Sequence, residues 1–298
     1  MTQYPKSISN INQLVKKLSD AGMTLDVPNP EEALTTIGYY RLKGYWFHKY
    51  NNSTKQFQAN TNFTDIVDLY NFDSEFSRLI FSFLSKIEIA LRTRTVDALS
   101  IYNDPLILSD PSIFKDKEKY WKNQSTIANE IARSNDVFIK HNFANHHGLI
   151  PVWSSVEIMS FGSLSKVLMN LSAGANTAYN KLAQYYTYQS NNNAVVPSHE
   201  MLTSWVKAAC AIRNVCAHNG RIYNRAFTTL PKLLKNDVIS PAPNFKGIYY
   251  IMLGMKYLRP TDDMWNDFVN DFKSLLNKYA NVVTAADLHF PVDWTNHL

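Results

Sequence analysis

The sequence predicts an all-α fold, a helical bundle preceded by a small helical subdomain. Apolar residues recur at intervals of three or four rather than alternating, and only nine glycines occur in 298 residues. The hydrophobic content of 45% is enough for a sizeable core.

Taken in order, residues 7–20 have the apolar spacing of a short amphipathic helix. Pro28-Asn29-Pro30 interrupts the pattern before a helix starting near Glu31. An aromatic and basic cluster follows at 38–50, GYYRLKGYWFHKY, and then polar, turn-rich sequence to Asn62. This first portion differs in composition from the rest, so a boundary is expected near residue 62, with 1–62 as the subdomain and 63–298 as the bundle. The strongest periodicity lies in 64–102, where Phe72, Phe76, Leu79, Phe83, Ile87 and Leu91 mark a long core helix. On its more polar side Glu88 and Arg92 stand four apart, a spacing that braces a bundle.

A loop with Asp104-Pro105 and Asp110-Pro111 leads to a polar helix over roughly 115–141. The segment from Pro151 reads as a helix bent at Gly162, and a further helix spans about 175–190. Polar residues 189–197 then separate it from a helix that Ser198 caps and Glu200 favours through the N-terminal dipole. Helices near 245–258 and 262–280 follow, the second capped by Thr261 with Asp262 and Asp263 in its first turn. The Pro-Val-Asp-Trp segment at 291–294 is expected to anchor the tail.

The most informative stretch is 204–225, SWVKAACAIRNVCAHNGRIYNR. Asn214 and His218 are four apart and share a helix face, and Arg213 can reach across from the adjoining stripe. Asn219-Gly220 predicts the helix stop, which leaves His218 in the last turn, where exposed carbonyls favour a cationic imidazole. A guanidinium beside such a ring suits a phosphate. Six of the chain's 30 Lys and Arg fall within 201–236 (Lys207, Arg213, Arg221, Arg225, Lys232, Lys235), and none of its 25 Asp and Glu does. The remainder is balanced, so the net charge of +5 sits around this motif and points to a polyanion.

Other chemistries find little support. Cys210 and Cys216 would lie about 9 Å apart on one helix at roughly 1.5 Å per residue, too far to pair. They read as core thiols of a reducing compartment. His141, His146 and His147 lack a carboxylate or Cys at ligand spacing, so neither a metal nor another cofactor is expected. The first residues contain no apolar leader and no stretch approaches a membrane span, so a soluble, cytoplasmic protein with no membrane association is expected.

The R-N-V-C-A-H-N-G-R segment resembles the R-N-x-x-x-H form of the signature of HEPN domains, α-helical bundles found in many prokaryotic RNases of defence and toxin systems. Four further blocks, GYYRLKGYWF, IEIALRTR, PVWSSVEIMSFGSLSKV and FPVDW, are similar to successive blocks of the Abi-like (abortive infection) family of HEPN proteins. Together they span most of 35–294. Arg41 and His48 also satisfy the loosest form of the Arg–His pattern, so block order is what carries the likeness.

The resemblance implies a HEPN-type bundle and metal-independent RNA cleavage. The motif helices of two copies would form one composite cleft across a homodimer. Arg213, Asn214 and His218 would be catalytic, with Arg221 and Arg225 on RNA phosphates and Lys207 adding to the patch. In the aromatic cluster Arg41 and Lys43 would hold the backbone, with bases stacked on Tyr40 or its aromatic neighbours. Expected partners are RNA, as substrate or as a regulatory or antitoxin RNA, a second copy of the chain, and alternatively a protein antitoxin. The rival reading is a non-catalytic RNA-binding module acting as sensor or ribonucleoprotein subunit. A toxin silenced at a Tyr two residues beyond the His fits poorly, because that position is Gly220.

Overall fold

The computed structural model describes residues 8–190, 193–237 and 246–298. The predicted starts at residues 7 and 245, and residues 191–192 of the polar separator, lie outside the described residues. The chain is all-α: helices dominate, and the strands form two small antiparallel hairpins among the described residues.

Helix α1 (Ile11–Asp20) begins with a reciprocal cap, in which the Asn10 side chain accepts from the Gln13 amide and the Gln13 side chain accepts from the Asn10 amide, both at 2.9 Å. Helix α2 (Pro30–Ala33) has Pro30 in its first turn, where no amide donor is needed. It widens into a π-helical turn, Leu34–Gly38, and continues as α3 (Tyr39–Trp46). Strands β1 (Tyr50–Asn51) and β2 (Gln56–Phe57) pair through Tyr50 and Phe57 within the turn-rich stretch.

Helix α4 (Phe63–Leu99) is 37 residues long, about 55 Å at roughly 1.5 Å per residue. It is the axis of the molecule and packs against α3, α7, α9, α10 and α12. Phe72, Phe76, Phe83, Ile87 and Leu91 of the predicted stripe are buried, each worth about 1.5–3 kcal/mol of transfer free energy. Leu18, Leu42 and Trp46 from the N-terminal segment belong to the same connected core.

The expected helix over 115–141 is two helices, α5 (Lys117–Arg133) and α6 (Val137–Asn145). Between them the Ser134 hydroxyl donates to the Asp136 carboxylate at 2.6 Å and accepts from the Asp136 amide at 3.1 Å. These local bonds compete with the helical ladder, and hydrophobic period does not report them. Helices α7 (Val152–Ile158) and α8 (Phe161–Asn170) meet at Met159-Ser160, ahead of the expected bend at Gly162, because the Ser160 hydroxyl caps α8 by accepting from the Ser163 amide at 3.1 Å.

Helix α9 (Ala178–Gln184) ends earlier than expected. The run Tyr185, Tyr186, Thr187, Tyr188 is rich in residues that favour extended backbone, and it leads into strand β3 (Tyr188–Ser190), paired with β4 (Asn193–Val195). Helix α10 (His199–Ala217) carries the motif and packs against α4, α8 and α11 (Ile248–Tyr257). Ser198 caps it by accepting from the Met201 amide, as Thr261 caps α12 (Asp262–Lys278) by accepting from the Met264 amide. The short α13 (Trp294–His297) places Trp294 edge-on to Phe272 at 5.7 Å, so the expected aromatic anchor is in place.

Candidate active site

Helix α10 turns Leu202, Trp205, Val206, Ala209, Ile212 and Cys216 inward. That leaves Asn214 and His218 exposed and Arg213 partly exposed at its C-terminal end. The helix closes with a Schellman arrangement, the Asn219 amide donating to the Cys216 carbonyl at 3.0 Å and the Gly220 amide to the Val215 carbonyl at 2.8 Å. His218 is the capping residue itself. Asn219, at φ +51°, takes the left-handed position. Glycine follows for a different reason: a Cβ at Gly220 would approach the Val215 carbonyl to 3.1 Å.

Arg213 is held from two sides. Its Nε lies 3.9 Å from Glu88 Oε2 and its guanidinium sits over the Phe81 ring at 5.7 Å. The other oxygen of Glu88 accepts from Arg92, which also donates to the carbonyls of Val156, Glu157 and Met159. Arg92 thereby satisfies orphan carbonyls at the end of α7, and the Glu88–Arg92 pair braces α4 against that helix. The 201–236 window is therefore free of acid in sequence but not in space, because α4 brings two carboxylates to it.

The second carboxylate is Asp73. It accepts from the Tyr45 hydroxyl at 2.7 Å, from the Tyr223 amide at 2.7 Å and from the Ile222 amide with both oxygens. Burial pushes its carboxyl up, opposed by these hydrogen bonds and by nearby Arg221. Arg221 donates to the Gly44 carbonyl, and Arg41 donates to the Asn219 carbonyl at 2.7 Å. Both arginines so fasten the motif turn to α3, and each retains further donors in its five-donor fork.

Of the residues singled out in the sequence, Arg213, Asn214, His218, Arg221, Arg225 and Arg41 gather about the end of α10. Arg225 is exposed, stacked over Phe227 at 5.6 Å. Lys207 is exposed midway along α10. Lys43 instead lines a separate groove with Lys16, Lys17 and Lys55. Tyr40 is 83% exposed, whereas Tyr45 and Trp46 are buried core residues, Tyr45 reaching the wall of the cavity described next.

A cavity of about 480 Å³ between α4 and the motif turn escaped the sequence reading. Ser74, Ser77, Arg78, Phe81 and Ser82 of α4 line it, facing Arg41 and Asn219. Their spacing of three and four residues along α4 was the available signal, masked by the apolar stripe beside it. Cys216 also lines it, with its thiol pushed up to about 11 by burial. Cys210 is raised for the same reason, and both cysteines are free. Among the described residues no three His, Cys, Asp or Glu side chains converge as a metal site.

The family model described as Abi-like protein matches residues 32–224. The chain belongs to the Abi-like family. The matched span runs from α2 to the motif turn and contains Asp73, Glu88, Arg92, Arg213 and His218. Membership links this Abi-like protein to abortive infection, a defence role. No curated protein and no solved structure matches it significantly. No helix of the described residues is long and apolar enough to cross a membrane.

Proposed function

We propose that this Abi-like protein is a HEPN-type, metal-independent endoribonuclease that acts as a toxin in cytoplasmic defence. The observation that carries the reading is the solvent-facing set at the end of α10: exposed Asn214 and His218, with partly exposed Arg213 on the same last turns held against α4 by Glu88 and Phe81. RNA cleavage needs removal of the 2′-OH proton, stabilisation of a pentacoordinate phosphorane and protonation of the leaving 5′ oxygen. His218 transfers protons, Arg213 offsets the phosphorane charge, and Asn214 orients the imidazole or a phosphate oxygen. Products carry a 2′,3′-cyclic phosphate and a 5′-hydroxyl.

One chain offers one His at this site, and the reaction calls for both a base and an acid. A homodimer that apposes two α10 ends supplies the second. Arg221, Arg225, Lys207 and Arg41 hold the RNA backbone near the cleft, with Lys43 and Tyr40 extending the contact. Restraint in the uninfected cell falls to a partner, an RNA or a protein antitoxin, that covers this charged face.

A labelled RNA incubated in EDTA with the protein tests the reading. Cleavage is expected, and His218→Ala should slow it at least about 100-fold, the usual worth of a general acid–base group. Equal cleavage by the alanine variant sinks it. The pairing of Arg213 with Glu88 favours one alternative, an RNA-binding protein that does not cut, because that carboxylate offsets part of the charge owed to a phosphorane. In that case RNA affinity falls steeply with salt while no product forms.

A further inference from the structure

The cavity between α4 and the motif turn has the chemistry of a nucleotide site. Its volume of about 480 Å³ falls within the range of roughly 300–1,000 Å³ typical of small-molecule sites. Arg41 and Arg78 supply guanidinium groups, Ser74, Ser77 and Ser82 hydroxyls, and Phe81 and Tyr70 ring surface. Arg41 uses one nitrogen on the Asn219 carbonyl and keeps the rest of its fork. Arg78 is exposed and makes no hydrogen bond or ion pair among the described residues. Its neighbour Glu75 is bound by Lys278 and Tyr279 at 2.8 Å, and the Arg78 charge adds a smaller pull on that carboxylate.

The one carboxylate in the lining, Asp73, has its oxygens taken by the Tyr45 hydroxyl and two backbone amides. The site therefore presents unspent positive charge at its mouth and apolar surface inside, the combination a phosphate with an attached base requires. Its position gives it a role. Phe81 both lines the cavity and carries the Arg213 guanidinium, and Ala217 and Asn219 flank His218 in sequence.

We propose that this cavity binds one nucleotide of the RNA strand, next to the bond presented to Arg213 and His218, with its phosphate on Arg41 and Arg78 and its base against Phe81 and Tyr70. This rests on the ribonuclease reading for its substrate, and its test does not depend on cleavage.

A fluorescent 2′-O-methyl RNA oligomer, which lacks the nucleophilic hydroxyl, reports affinity of the full chain by anisotropy. Arg78→Ala and the cavity-filling Ser82→Trp should each weaken binding about tenfold or more. Lys273→Ala on α12, which removes an exposed positive charge from a side chain that does not line the cavity, should leave affinity within about twofold of wild type. Arg78 and Ser82 are exposed, so thermal unfolding should report intact folds. Unchanged RNA affinity in both cavity variants overturns the proposal, as does an equal loss in Lys273→Ala. Calorimetry with nucleoside 5′-monophosphates and with inorganic phosphate separates the sources. Tight mononucleotide binding lost in Arg78→Ala, with RNA affinity unaffected, means a free-nucleotide site and overturns the strand assignment. Loss of RNA affinity in the cavity variants of a protein that never cuts RNA would leave the subsite standing and remove the ribonuclease reading instead.

Discussion

Asp73 does more for the candidate site than its distance from the motif implies. One buried carboxylate fixes the backbone at Ile222 and Tyr223 and the hydroxyl of Tyr45, so the turn after His218 leaves α10 in one direction. Asp73→Asn keeps the shape but turns an amide donor toward backbone donors. It should destabilise the fold by about 2–3 kcal/mol, the cost of leaving buried polar groups unpaired, as read from a urea melt. A melt superimposable on wild type contradicts this account. Helical spacing and the Asn-Gly stop made Arg213, Asn214 and His218 legible as a set in the sequence. The parts that Asp73 and Glu88 play at this site were not, because their contacts join α4 to a segment more than a hundred residues away and no local pattern encodes such a meeting.

Element boundaries follow local hydrogen bonding that hydrophobic period does not record. The long α4 and the capped α10 and α12 match the sequence reading because cap, stripe and stop agree. The 115–141 segment divides at Ser134 and Asp136, and the helix expected to 190 gives way to a hairpin, because short polar bonds and an extended-favouring run override the periodicity. The widened turn Leu34–Gly38 is held by a backbone feature: Gly38 sits at φ +95°, a conformation that L side chains rarely adopt. A Cβ there meets nothing within 4 Å, so sterics with neighbours would allow alanine. Gly38→Ala should nevertheless cost about 1–2 kcal/mol through backbone strain alone. Equal or higher urea midpoint for the variant shows that α2 and α3 can join without the positive φ.

Across the whole molecule, charge that looks local in sequence is partly balanced in space, and the burial of two imidazoles sets a dependence on pH. Burial holds the His48 imidazole below the ordinary value of 6.5, with Lys49 and Arg221 adding to the effect and Asp287 opposing it. Burial likewise lowers His199, whose Nε2 lies 3.4 Å from Lys115 Nζ, while a hydrogen bond with the Leu171 backbone and the Glu200 charge work the other way. A base with a depressed folded value takes up its proton more readily in the unfolded chain, so stability has a positive slope with pH between the two values. The contribution is whole above about 6.5 and is lost as pH falls from there through the folded values. The carboxylates of Asp97 and Glu75 act in a lower window. Hydrogen bonds from Lys181 and Tyr185 lower Asp97, and the Lys278 hydrogen bond leads in lowering Glu75, so their stabilisation is present above their ordinary values of 3.8 and 4.5 and lost below them. The melting temperature should therefore decline as pH drops from 7 toward 5, before those acids are reached. In the double variant His48→Gln, His199→Gln that decline should flatten while the steeper loss below about pH 4 persists. A wild-type melting temperature constant from pH 7 to 5, or a double variant with the same slope, would assign the acid sensitivity to other groups.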